Sequence, residues 1–169
     1  VVHRLDQRVS GLMILAKTAE VQTLLTQQFA NGFIKKQYKA VTALKEGVTE
    51  GTLTNFIAHN KQKQKAFIVK EGTANVKKAV LHFKTIQQSQ KYGLLEIELV
   101  TGRFHQIRAQ LAHIGLPIVG DVKYGFKRTV DNGSILLQSA QLSFLHPITK
   151  KPISISLPIP DYWKKYGFL

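Results

Sequence analysis

The stretch GLLEIELVTGRFHQIRAQLAHIGLP, residues 93–117, changes its apolar period once, and that change constrains the fold more than any other feature of the chain. At first Leu95, Ile97 and Leu99 alternate with Glu96 and Glu98, the period of a half-buried strand. Then Phe104, Ile107, Leu111 and Ile114 follow helical spacing, and Gly115 and Pro117 end the helix. A second helix is predicted over TAEVQTLLTQQFANG, with Thr18 as N-cap, Val21, Leu24, Leu25 and Phe29 on one face, and Asn31-Gly32 as the stop. GLMILAK reads as a short buried strand. Further strands are predicted in FIKKQYKAVTAL, GTLTNFIAH, KKAVLHFKTIQQ, SILLQSAQLSFLHP and KPISISLPIP, where Tyr38, Ala40 and Thr42 share one face and Ile153, Ile155 and Leu157 alternate. Strands and helices do not alternate regularly. The expected class is α+β, with a mixed, mainly antiparallel sheet and a few flanking helices.

No internal repeat or low-complexity linker interrupts residues 1–169, so one catalytic-sized unit is expected. A chain of this length buries roughly 70% of its extended surface, enough for a core without staples. There is no cysteine, which excludes disulfides, thiolate metal sites and cysteine catalysis. No apolar run is long enough to span a membrane, and no charged-then-apolar leader opens the chain. A cytoplasmic location is expected. Lys and Arg number 24 against 10 acids, a net charge of +14, which favours a polyanionic partner, with nucleic acid ahead of an anionic membrane.

Some chemistry has no motif here: HExxH, GxxxxGK[ST] and GxSxG do not occur. His105 and His113 lie two helical turns apart, too far to ligate one metal, and no metal is expected. What remains is a set of charged blocks. VVHRLDQRVSG sets Asp6 between Arg4 and Arg8. On the helix after Thr101, Arg108 falls at the border of the apolar stripe. It needs an anionic partner there, and a carboxylate suits its bidentate fork. An ordinary structural ion pair answers the same need. Arg103 and His105 fall in the predicted first turn, where backbone N–H groups attract anions. Asp121, in Gly-Asp, reads as bracing a loop. Tyr38 has Lys35, Lys36 and Lys39 near it, which suits a stacked base beside phosphate contacts, or equally a core tyrosine with its hydroxyl at the surface. Lys61, Lys63 and Lys65 share one face of an extended segment and with Lys77 and Lys78 form either a phosphate-tracking strip or a solvated edge.

Taken together the blocks resemble the RluA-type pseudouridine synthases. HRLDQRVSGLMILAK is similar to that family's signature stretch, KKQYKAV to its tyrosine motif, TGRFHQIRAQLAHIGLPIVGDVKYG to its arginine motif, and FLHPITKKPISISLPIP to its C-terminal strand pair. The resemblance implies an RNA-uridine isomerase with Asp6 as catalytic carboxylate and Arg4 at the site of the everted uridine. Tyr38 would stack on uracil and help move the C5 proton, and Arg108 would pair with Asp6. Ile107, with residues around Ile118, would form apolar walls. Arg8, Lys36, Arg103 and His105 complete the expected RNA contacts. The acid has three courses: attack on ribose C1′, elimination toward a glycal, or addition at uracil C6. None needs redox chemistry, a metal or a nucleotide cofactor. The partner is structured RNA, ribosomal or transfer, and a monomer suffices. Pairing with Arg108 should lower the Asp6 pKa. Relative to the family, a strand and a Lys-Pro loop are expected before the HRLD block and are missing here. Gln110 stands where many members have histidine, a difference expected to be tolerated. The rival reading is a non-catalytic RNA-binding module with the same fold.

Overall fold

The computed structural model describes residues 1–168. In chain order its elements are β1 (Ser10–Gly11), α1 (Ala19–Ala30), β2 (Lys35–Ala43), β3 (Glu50–Asn60), β4 (Lys65–Val69), β5 (Lys77–Gln88), β6 (Tyr92–Leu99), α2 (Gln106–His113), β7 (Leu137–Leu145) and β8 (Pro152–Ser156), with 3-10 turns at Val122–Tyr124 and Asp161–Tyr166. The strands form one sheet in the order β1-β7-β2-β6-β5-β3-β4, and β8 also pairs with β7. The pairings are antiparallel except for the short parallel β1–β7 contact, which matches the α+β expectation.

The period-two pattern of the central strands divides their residues between two cores. Ala40 and Leu95 face α2, where Ile107 and Leu111 join Tyr38, Leu81, Phe83 and Ile97. Their neighbours Val41 and Leu94 face the opposite side and pack with Trp163 and Phe168 from the C-terminal turn. The predicted α1 caps hold: Thr18 accepts from the Val21 N–H at 3.2 Å, and Asn31 ends the helix. On α2, Gln110 is fully buried, and its amide N–H groups donate to Leu53 O, Asn55 Oδ1 and Ala79 O. This residue therefore ties α2 to β3 and β5.

Several expectations need correction. Of GLMILAK only Gly11 lies in a strand, as the second residue of β1. β7 offers β1 just Gln138 and Ser139, because β8 takes the same edge from Gln141 onward. Leu12–Ala16 has no regular secondary structure, and Met13 and Leu15 are exposed. Lys61 and Lys63 lie in the tight turn between β3 and β4 rather than on an extended face. Ile155 is exposed on the outer strand β8, and Ile118 is buried in the core instead of lining a pocket wall.

Gly11 is the residue that lets β1 dock. Its φ is +118°, and a Cβ there would stand 2.3 Å from the Ser139 carbonyl oxygen and 2.6 Å from the Ser139 nitrogen. Both are backbone atoms of the paired strand, so neither can move without breaking the ladder. The Gly11→Ala variant is expected to lose roughly 2 kcal/mol or more of stability. Urea-unfolding midpoints will check this; an unchanged midpoint would show that β1 contributes nothing.

Candidate active site

The segment before β1 folds back over the N-terminal end of α2. The Val9 N–H donates to the Asp6 carbonyl at 2.9 Å, and the Ile135 N–H donates to the Arg8 carbonyl at 3.0 Å. These bonds close a turn that holds Asp6 inward while Arg4 and Arg8 stay exposed. Tyr38 sits mid-strand on β2, 8% exposed, where the register with β7 slips between Gln37 and Tyr38. Such a bulge re-aims the side chain beside it.

Arg108 joins these pieces. Its Nε and Nη2 donate to Asp121 Oδ2 and Oδ1 at 2.7 and 2.9 Å, a bidentate fork. Its Nη1 donates to Asp6 Oδ2 at 3.2 Å and meets His105 Nε2 at 3.0 Å. The sequence logic that a guanidinium at the edge of the stripe needs a carboxylate is borne out, but it has two. Asp121, read from sequence as a loop brace, holds the better geometry and is 1% exposed. The available signal was the fork itself, which one acid fills completely.

His105 and Arg103 are not in the first turn of α2, which begins at Gln106. His105 is the residue before it, in the left-handed conformation at φ 50°, uncommon outside glycine. That conformation turns its ring back onto Arg108. The guanidinium only donates, so Nε2 accepts and the proton sits on Nδ1. Nδ1 in turn donates to the Tyr124 hydroxyl at 2.9 Å, and that oxygen also accepts from the Ala66 N–H at 2.8 Å. Tyr124 thus anchors the network to β4. Burial and the nearby Arg108 charge push the His105 pKa down to about 4. The ring is neutral at pH 7, and its 3.6 Å approach to Asp6 Oδ2 is not an ion pair.

The Asp6 pKa moves opposite to the sequence expectation. Burial raises it, and the hydrogen bond and charge of Arg108 pull it down without reversing the rise, to which the Asp121 charge adds. The reason is geometric: Arg108 gives its fork to Asp121 and one N–H to Asp6. Burial likewise pushes the Tyr38 phenol up and the Lys36 ammonium down.

Two hollows meet at Asp6. One, of about 520 Å³, is lined by Tyr38, Lys36, Ile107, Leu99, Leu137 and Phe29. The other, of about 910 Å³, is lined by Arg8, His59, Gln64, Phe104 and Lys123. Arg4, Arg103, His105 and Arg108 border both. Asp6, Tyr38, Arg108, Arg4, Arg8, Lys36, Arg103, His105 and Ile107 therefore each border one hollow or the other, whereas Lys35, Lys39, Lys61, Lys63, Lys65, Lys77, Lys78 and Ile118 border neither. Among the described residues, no group of three or more His, Asp or Glu side chains is placed to hold a metal, and no helix is long and apolar enough to cross a membrane.

The neutral state of His105 has a thermodynamic consequence. An unfolded histidine protonates near 6.5, the folded one only near 4. Its contribution is complete above pH 6.5 and is lost as pH falls toward 4, on the order of 3 kcal/mol over the whole window. Urea midpoints measured from pH 7.5 to 5 should fall more steeply in the wild type than in His105→Gln, which keeps an acceptor and a donor but no titration. Equal slopes would contradict the assignment.

Comparison with known proteins identifies the family. A family model described as RNA pseudouridylate synthase matches residues 1–113. The uncharacterized RNA pseudouridine synthase YlyB of Bacillus subtilis is 34% identical over 161 residues, which cover 95% of this chain and 52% of that protein. The ribosomal large subunit pseudouridine synthase D of Xanthomonas campestris is 34% identical over 176 residues, covering 95% of this chain and 51% of that one. The chain thus spans about half the length of the curated relatives it matches. Among solved structures, human RNA pseudouridylate synthase domain containing 4 superposes with a TM-score of 0.80 at 21% identity, over 96% of this chain and 72% of that one, a likeness of fold. With the family model matched over residues 1–113, which include the HRLD block and the first half of the arginine motif through Arg108, the chain belongs to the RNA pseudouridylate synthase family and is of its RluA type.

Proposed function

We propose that this chain isomerises uridine to pseudouridine in structured RNA, with Asp6 as the catalytic carboxylate. The observation that carries the reading is the convergence of Asp6, Tyr38 and Arg108 on one hollow from three separate parts of the chain. The reaction breaks an N-glycosidic bond and remakes the link to carbon in the same site. A carboxylate can hold or release the sugar in such a step. Burial makes Asp6 more basic, hence a better nucleophile, and the single Arg108 bond keeps it aimed.

In this reading Tyr38 stacks on the everted uracil and Ile107 supplies the apolar wall beneath it. Arg4 contacts the RNA where the uridine leaves its stack, and Arg8, Lys36 and Arg103 meet phosphates. His105 acts through Arg108 rather than on RNA, since protein groups occupy both its ring nitrogens. The charge of +14 fits a polyanionic substrate. The relatives named for the large ribosomal subunit make ribosomal RNA the first substrate to test and transfer RNA the second. This reading takes the protein as a cytoplasmic monomer.

The test is incubation of the wild type and of Asp6→Asn and Asp6→Ala with total RNA, followed by position-resolved mapping of pseudouridine and by RNA-affinity measurement. Both variants should lose product at least about 1,000-fold while keeping RNA affinity. Product formation unchanged in Asp6→Ala would remove the assigned carboxylate. A wild type that binds RNA tightly and modifies none would favour the non-catalytic module.

A further inference from the structure

The larger hollow contains a column of flat rings that the chemistry at Asp6 does not require. His105 stacks on Phe104 with centroids 3.9 Å apart and planes 16° from parallel, and Phe104 stacks on His59 at 3.9 Å and 29°. Tyr124 closes the inner end, edge-on to His105 at 5.6 Å. That inner end is committed to the network around Arg108. The outer end is free: His59 is exposed on β3, and Phe104 is 36% exposed in the link between β6 and α2. Two segments far apart in sequence each contribute a ring, and the column they build ends in solvent.

The surroundings are cationic. Arg4, Arg8, Arg103 and Lys123 border this hollow, and Asp6 is the one acid among its lining residues. The Lys123 ammonium donates to the Gln64 carbonyl at 3.1 Å, which ties the β3–β4 turn, and with it the neighbourhood of His59, to the turn that follows α2. A stack of rings flanked by cations fits a ligand that carries flat rings on a polyanionic backbone. Base-on-ring stacking is tolerant of sequence, because every base offers a π-face.

We propose that a nucleobase near the target uridine stacks on the outer face of His59, with its phosphates held by Arg8 and Lys123. This rests on the reading of Asp6 as acting on a uridine of RNA. The column begins beside Asp6, since His105 Nε2 lies 3.6 Å from Asp6 Oδ2, so it is a ruler from the acid to the neighbouring base. The platform accepts any base, and its occupation orders the strand on one side of the uridine.

The probe is a set of single-stranded RNA heptamers with one central uridine and 2-aminopurine at each of the two positions on either side in turn. Stacking quenches 2-aminopurine. The wild type should quench it strongly at one of these positions. His59→Ala should lose that quench and bind about ten-fold or more weakly, whereas His59→Phe should restore both. Equal quenching in wild type and His59→Ala, failure of His59→Phe to restore it, or no quenching at any position in the wild type overturns the platform. Pseudouridine in the same heptamers is scored separately. Product without position-specific quenching sinks the platform alone, and quenching without product in any RNA sinks the catalytic reading alone.

Discussion

One guanidinium serves two carboxylates, and the rest of the site depends on how it is divided. Arg108 is almost wholly buried, and a buried charge without partners is costly. Asp121 satisfies it with a fork, which makes the pair a fixed structural unit. Of the N–H groups outside the fork, Asp6 receives one from Nη1 while His105 Nε2 meets the same nitrogen, enough to aim a carboxylate without fully neutralising its basicity. On the proposed reading of Asp6, the chain separates buried counter-ion from reactive acid, Asp121 taking the first part and Asp6 the second.

The fold makes this division possible by bringing distant segments to the start of α2. The helix is set on the sheet by Ile107 and Leu111 and by the buried amide of Gln110. Its first residues then meet the Asp6 turn on one side and the Asp121 loop on the other. Tyr38 reaches the same place from β2, beside the bulge against β7. The left-handed His105 fits the same logic. Its strained entry to the helix places a neutral ring where a helical residue would have pointed elsewhere, and Tyr124 fixes its tautomer.

Much of this was legible in the sequence. The switch of period between Leu99 and Phe104 located a strand and a helix, and the alternation in KKAVLHFKTIQQ located another strand. The motifs brought Asp6, Tyr38 and Arg108 together before any coordinates. Local pattern failed where a competing tertiary contact decided the outcome. GLMILAK has the composition of a strand, but β8 occupies the edge it would need. The sequence expectation of a lowered Asp6 pKa assumes one-to-one pairing with Arg108, and no spacing rule shows that Asp121 takes the fork. His105 looked like a helix residue because its backbone conformation is set by the partners of its ring rather than by its own propensity.

The division of Arg108 between two acids is open to one direct observation. Carboxyl-carbon NMR of the wild type, with the Asp6 resonance assigned by its loss in Asp6→Asn, gives the titration midpoint of that group. A midpoint above the ordinary carboxylate value of 3.8 is expected, because burial outweighs a partner already engaged elsewhere. A midpoint at or below 3.8 would mean that Arg108 is committed to Asp6 after all, and the separation of counter-ion from reactive acid would be wrong.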